Sequence, residues 1–443
     1  MRPGRGSIRQ SGSRIALASS NPSDVSLLVV TGMQRSHMAD GNLQLPVVNH
    51  ARVPRRVFLS ANGNVNSPAT WSGIPYHFLL EARRKGLVDE GLTLRPDTRG
   101  MRFRRVAWNA ARLMTLKHAG GFQYSPGFLE QLYKPVRSTI SGGVVVSCFQ
   151  LLPPSVIKDS SIEKWFYIDM TLRQFFEYYG VESSVGNARE AVESERTGYA
   201  SAVGIITHSR WAALSVMQDY GITPDRVHTV VPGASLSLDQ YAMWEHDHRA
   251  PADVMEMRPL RLVFVGKYWK RKGLDRLLLA FRAACDRGMK ASLRVIGCPR
   301  DSVPADLRET NAVEWVGFVD KGKDPQRLLK LVSECDIGCL LSRSEAGGIA
   351  LREYLALGLV TIGPETGGAE EHMARGASVA VPSDAGTEEI AEVLLGFDRD
   401  RRKLREFRAA AWNYRCQALW SNSVDQILSF WPQSVRNTVR VEA

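Results

Sequence analysis

No stretch of the 443 residues approaches the roughly 20 consecutive apolar positions that a membrane span requires. The longest early apolar run, residues 27–30, is also too short for the core of a secretory signal. Cysteine is sparse and scattered. The closest pair, Cys335 and Cys339, encloses Asp336, Ile337 and Gly338 in what reads as a buried strand. No second cysteine or histidine pair completes a metal site, so these thiols read as apolar packing, and a reducing, cytoplasmic setting follows. His246 and His248 lie too close together for one helical face and read as linker residues. There is no Asp-x-Asp pair at a suitable strand end to hold a metal, and no recognised nucleic-acid module.

Neutrality is also missing. The net charge is +11, which points to an acidic partner such as a nucleotide phosphate, an anionic lipid or nucleic acid. The excess is regional: residues 52–130 hold 13 Arg or Lys against 5 Asp or Glu, a surplus of 8. The length suits two or three domains.

Residues 1–52, rich in Ser, Gly, Arg and Asn, read as a flexible tail, and Met33 and Met38 leave open a later translation start. Strands are expected at 57–60, 143–148, 165–168, 204–207 and 227–231, separated mostly by helical segments. The first helix runs from about Pro75 to Lys85, with Ser72 as its N-cap and Gly86 closing it. A polar segment, 244–259, reads as a linker. A second alternation follows, with strands at 261–265, 292–296, 313–316, 337–341, 360–362 and 378–381. Helices fill its gaps at 274–287, 325–334, 349–357 and 388–395. The expected architecture is α/β, with two tandem Rossmann-like, doubly wound domains at 53–243 and 260–411 facing a central cleft. A helical segment at 412–443 would pack back on the first domain. Ligands in such sheets bind beyond the carboxyl ends of the strands.

Two motifs lie at those ends. In the first, Lys267, Lys270, Arg271 and Lys272 crowd a strand-to-helix loop bracketed by Gly266 and Gly273, where backbone N–H groups already favour an anion. The second runs from Ser344 to Glu353. Gly347 and Gly348 sit where a helix should begin, so a diphosphate can approach the backbone and the free N–H groups of Ile349 and its neighbours. Glu345 precedes the helix and can reach a sugar beside that diphosphate. Glu353, about one turn in, can accept hydrogen bonds from ribose hydroxyls. A further glycine turn, Thr366-Gly367-Gly368-Ala369-Glu370-Glu371, follows the next strand.

Residues 262–381 resemble the donor domain of glycosyltransferase family four, whose members have the GT-B fold. Glu345 and Glu353 match the family's paired glutamates, Lys272-Gly273 its strand-loop ending, and Gly367, Gly368 and Glu371 its Gly-Gly-x-x-Glu turn. Gly73, in Trp71-Ser72-Gly73, matches a loop that approaches donor and acceptor, and the likeness extends over about residues 56–400. The resemblance implies a retaining transfer from a UDP- or GDP-sugar to a saccharide or lipid-linked acceptor, in polysaccharide or glycoconjugate synthesis, without a metal or other cofactor. Lys272 and a nearby cation would neutralise the diphosphate, Glu345 contact the sugar and Glu353 hold the ribose. Two departures matter. Lys267 stands where many members carry Arg, so Arg271 would share that role. Asp169 stands where many carry a histidine facing the reacting sugar, and it could instead cap the helix at Thr171. The other readings open are a GT-B sugar-nucleotide epimerase and a non-enzymatic basic nucleotide- or nucleic-acid-binding protein.

Residues 101–114 read as a helix with Arg102, Arg105 and Arg112 near one face and Phe103, Val106 and Ala110 near another. With Arg83, Arg84 and Lys85 it could rest on the inner face of an anionic membrane. Alternatively, it packs its apolar side on the N-terminal core.

Overall fold

The computed structural model describes residues 55–116, 119–181, 186–247 and 258–432. The expected tail, its two internal methionines, His248 and residues 433–443 lie outside them. Two six-stranded parallel sheets organise the rest. The first comprises β1 (Val57–Ser60), β2 (Glu90–Gly91), β3 (Val144–Ser147), β4 (Glu163–Ile168), β5 (Gly204–Thr207) and β6 (Val227–Thr229), in the order β2-β1-β3-β4-β5-β6. The second comprises β7 (Leu260–Val265), β8 (Ala291–Ile296), β9 (Val313–Gly317), β10 (Ile337–Cys339), β11 (Val360–Glu365) and β12 (Ser378–Pro382), ordered β12-β11-β10-β7-β8-β9. Each order reverses direction once, between β1 and β3 and between β7 and β10. A crevice opens beyond the strand ends at such a switch point.

The first sheet is buried on both faces, and its strands alternate as a period-two pleat demands. Phe58, Val145, Phe166 and Ile168 join one apolar cluster, whereas Leu59, Val144, Val146, Trp165 and Tyr167 join the other. The second cluster is completed by Trp420, Val424, Ile427 and Trp431, from and just after the helix Trp420–Phe430, which lies against the helix Ile74–Arg84. The helix Trp420–Phe430 thus returns to the N-terminal lobe. Arg352, almost wholly buried in the C-terminal lobe, ties down this crossing. It donates to Pro232 O at 3.1 Å, to the Tyr414 hydroxyl at 3.0 Å and to Gln417 O.

Several local expectations need correction. Ser72 is not an N-cap: Trp71, Ser72 and Gly73 all have positive φ (41°, 58° and 85°), and Gly73 itself precedes the helix with no side-chain cap. Residues 244–247 continue the helix Leu238–Asp247 instead of forming a linker. Tyr241 and Trp244, one turn apart, both face inward, and Glu245 pairs with Arg415 at 2.7 Å.

The helix Arg99–Leu116 does not pack Phe103, Val106 and Ala110 on the core. Met101 and Trp108 face the lobe, whereas Phe103, Val106, Leu113 and Met114 are 75%, 66%, 53% and 81% exposed. Arg112 does not share a free basic face with Arg102 and Arg105. It lies over Trp108 and bonds Gly186 O and Glu190. The neighbouring cations are also engaged: Arg84 pairs with Glu81, Arg83 bonds Asp89 O, and Lys85 reaches Asp425 on the returning helix.

Candidate active site

The loop after β7 is pressed onto the end of β10. Gly273 has φ 72°, and a Cβ there would stand 1.8 Å from Leu341 O, so only glycine fits. That contact brings Lys272 under the second motif, where its ammonium pairs with the Glu345 carboxylate. Ser342 Oγ donates to the same carboxylate oxygen at 3.0 Å, and an Arg271 nitrogen lies 3.5 Å from it while donating to Ser344 O. Burial opposes ionisation of Glu345, but Lys272 and Arg271 outweigh it and hold the carboxyl below its ordinary range. Lys267 lies apart, exposed and over the Phe318 ring at 4.5 Å. Arg271, not Lys267, is the second cation at the glutamate.

Ile349–Ala356 is the helix of the second motif, preceded by Gly348 at φ 87°. A Cβ on Gly347 would come within 2.6 Å of the His372 ring, so the backbone and that ring form one tight wall. Glu353 is buried and pairs with Lys321, from the loop after β9. Both motif glutamates are therefore held by lysines. Glu345, Gly347, Gly348, Ile349 and Glu353 line one cavity of about 670 Å³, together with Lys267, Arg271 and Lys272. Gly73 stays behind the wall, against His77, while its neighbours Trp71, Ser72 and Ile74 form part of it.

The opposite wall comes from the N-terminal lobe. Asp169 follows β4, and it does not cap the next helix: Thr171 does so itself, in a reciprocal box with Gln174. Burial pushes the Asp169 carboxyl up to about 7, its own N–H and that of Met170 pull it back, and the charge of Glu345 adds to the rise. This value lies above the reference value of 3.8, so the fold favours the protonated form. The resulting stability is full below that reference and is lost as pH rises through about 7. Asp169→Asn should therefore melt at a higher temperature than the parent at pH 8, and the advantage should vanish by pH 4. A scan showing the same difference at both pH values would contradict this placement.

Four side chains at the cavity or its rim escaped the sequence reading. Lys321 holds Glu353. His208 stacks on Trp71 with ring centres 5.3 Å apart, and burial lowers its pKa to about 3. His372 is buried with neither ring nitrogen bonded, and burial and the Arg352 charge keep it neutral. Tyr178 crosses between the lobes: its hydroxyl accepts from Glu345 N at 3.1 Å and bonds the Thr366 hydroxyl. Glu371, in the same glycine turn, accepts from Arg210 N at 2.6 Å, at the start of the helix Arg210–Gln218. His77 is a packing residue. It is buried in its helix with Nδ1 unbonded, and burial and then the Lys321 charge lower its pKa to about 3.

Residues 259–397, which carry both motifs, match the family model described as "Glycosyl transferases group 1". The match is confined to the C-terminal lobe. The chain is also similar to D-inositol 3-phosphate glycosyltransferases: 23% identical over 55% of this chain to the first of two from Catenulispora acidiphila, and 25% over 56% to that of Corynebacterium glutamicum. The matches span 60% and 61% of those relatives' lengths. Among solved structures, sucrose-phosphate synthase from Thermosynechococcus elongatus superposes with a TM-score of 0.59 at 14% identity, over 85% of this chain and 98% of that one. WaaG, a glycosyltransferase involved in lipopolysaccharide biosynthesis, gives 0.52 at 14%, over 83% and 98%. Anabaena HepE in complex with UDP-glucose gives 0.54 at 13%, over 84% and 99%. These likenesses establish the two-lobed GT-B fold, with the matched segment in its second lobe. Among the described residues no helix is long and apolar enough to cross a membrane, and no group of three His, Cys, Asp or Glu is placed to hold a metal ion.

Proposed function

We propose that this chain is a retaining glycosyltransferase that moves a sugar from a nucleoside diphosphate sugar onto a saccharide or lipid-linked acceptor. One observation carries the reading: both motif glutamates, each paired with a lysine, line a single cavity at the switch point of the C-terminal sheet. On donor binding Lys272 turns from Glu345 to the diphosphate, with Arg271 and the N–H groups at Gly348 and Ile349 beside it. Glu345 then faces the sugar, and Glu353 takes the ribose hydroxyls. The bond from the anomeric carbon to the diphosphate breaks, and its electron pair leaves with the phosphate. The acceptor oxygen attacks the same face, and its proton passes to the departing phosphate oxygen. Cations and N–H groups aimed at that phosphate stabilise the transition state more than the bound donor, so the proposed reaction uses no metal. UDP-glucose, bound in the Anabaena neighbour, and inositol 3-phosphate, named for the curated relatives, are the first donor and acceptor to try.

Incubating the protein with radiolabelled UDP- and GDP-sugars, with and without a membrane extract, tests the reading. Label moving onto an extract component supports it. Interconversion of the free sugar nucleotide without an acceptor would replace it with an epimerase.

The proposed reaction extends to a membrane surface. On the helix Arg99–Leu116, an outward stripe of Phe103, Val106, Leu113 and Met114 is flanked by exposed Arg99, Arg102, Arg104 and Arg105. Such a helix suits an anionic bilayer, where each cation contributes about 1 kcal/mol. Arg102, Arg104 and Arg105 changed together to Ser should lower binding to anionic liposomes on the order of a hundredfold. Sedimentation that is indifferent to salt and to these changes would remove the membrane contact.

A further inference from the structure

We infer that Tyr178 is a positioning residue for Glu345, carried by the N-terminal lobe and acting across the cleft on the backbone of the other lobe. This role rests on the transferase reading above and adds a condition to it. Glu345 is set for the sugar only while the two lobes are in contact at this point.

Tyr178 ends the helix Leu172–Tyr178, whose start is fixed twice over. Thr171 caps it, and the buried Glu195 carboxylate accepts from Leu172 N at 3.0 and 2.9 Å. Partway along, Gln174 Nε2 donates to Trp211 O at 2.9 Å, and the Tyr178 ring packs on the Trp211 ring with centres 5.2 Å apart. Phenylalanine would satisfy that packing. The hydroxyl does something else: it accepts from Glu345 N at 3.1 Å and bonds the Thr366 hydroxyl, so its hydrogen-bonding capacity is spent across the cleft.

The segment that it meets is wedged between the lobes. A Cβ on Gly367, at φ 56°, would stand 2.3 Å from Glu345 O, and one on Gly368 would stand 2.3 Å from both Ala346 O and Ser209 Oγ. The glycine turn therefore fills the gap between the Glu345 backbone and the N-terminal lobe, where a side chain has no room. Just beyond it, Glu371 accepts from Arg210 N at 2.6 Å and fastens the turn to the start of the helix Arg210–Gln218. The backbone at Glu345 is thus held from its own lobe by Arg271, which donates to Ser344 O at 3.0 Å, and from the opposite lobe by Tyr178.

Donor binding makes the second hold decisive. In the proposed reaction Lys272 turns from the Glu345 carboxylate to the diphosphate, and Arg271 is drawn toward the same phosphate. Ser342 and Tyr178 carry no charge for that phosphate to attract, and they remain. Ser342 Oγ keeps the carboxylate at 3.0 Å, and Tyr178 keeps the main chain that aims it. Displacing a reacting group by about 1 Å can cost on the order of a hundredfold in rate. One neutral hydrogen bond that prevents such a displacement is worth about tenfold.

The test uses the full chain and the labelled UDP- or GDP-sugar that it cleaves fastest, with or without the membrane extract. Tyr178→Phe should lower kcat about tenfold and leave both the donor KM and the Kd for UDP unchanged. Thr366→Val removes the other partner of the same hydroxyl but spares its bond to Glu345, so kcat should stay within about twofold of the parent. Full kcat in the Tyr178→Phe protein would overturn the inference alone. So would equal losses in the two variants, or a loss confined to KM and UDP affinity, either of which would make the contact a general fastening of the lobes. Absence of any donor cleavage by the parent protein would overturn the transferase reading, and the inference with it.

Discussion

Glu345→Gln should lower sugar transfer by at least about a hundredfold while leaving the protein folded and able to bind nucleotide. The carboxylate is buried and kept ionised by Lys272 and Arg271. In the proposed reaction it is a fixed negative charge beside the place where positive character would develop on the transferred sugar. Glutamine keeps its size and its hydrogen bond to Ser342 but not its charge. The ion pair sets the sign of a second effect. The free protein holds Lys272 against Glu345, and in the proposed reaction a diphosphate would compete for that lysine. Removing the carboxylate charge frees Lys272, so UDP should bind the variant as tightly as the parent or a few-fold more tightly. Glu353→Gln should instead weaken the nucleotide, by removing an acceptor for the ribose hydroxyls. Rate measurements and calorimetry separate the two. A Glu345→Gln protein that loses UDP affinity, beside a Glu353→Gln protein that keeps it, would reverse the assigned roles.

The second large effect belongs to Lys272. Changing it to Met keeps the aliphatic stem against the Gly266 loop and removes the charge. A hydrogen bond to a charged group contributes about 1.5–3 kcal/mol, so affinity for a nucleoside diphosphate should fall roughly ten- to a hundredfold. Affinity for the nucleoside alone should barely change, because the ribose is assigned to Glu353, at the far side of the helix start. An equal loss for both ligands would mean that the variant disturbs the loop and not the phosphate contact.

Most of the sheet framework was legible because its strands are short runs built on consecutive apolar residues. Val144–Ser147 and Gly204–Thr207 stand out in that way. The two-residue strand Glu90–Gly91 carries no such run and is defined only by pairing with β1. At Ser72 the residue type suited a cap, but three successive positive φ angles placed its backbone elsewhere, and tertiary contacts with Ser235 and His208 accompany that shape. The paired glutamates were visible through the glycines between them. Lys321 was not, because Asp320-Lys321-Gly322-Lys323 reads as an ordinary charged loop. Its one signal was its position just beyond the carboxyl end of β9. Tyr178 and Arg352 gave no signal: their partners lie 188 and up to 120 residues away. The outward set of the helix Arg99–Leu116 could not be read from periodicity, which finds an apolar stripe without saying what it faces.

The measurement that bears most directly on the central claim is a proton NMR time course of donor cleavage without acceptor, using the α-linked UDP- or GDP-sugar that the protein binds most tightly. Same-face chemistry in the cavity of Glu345 and Glu353 predicts that the sugar first appears as its α anomer, ahead of mutarotation, and that Glu345→Gln abolishes its release. First release of the β anomer, or release undiminished in the Glu345→Gln protein, would contradict the account.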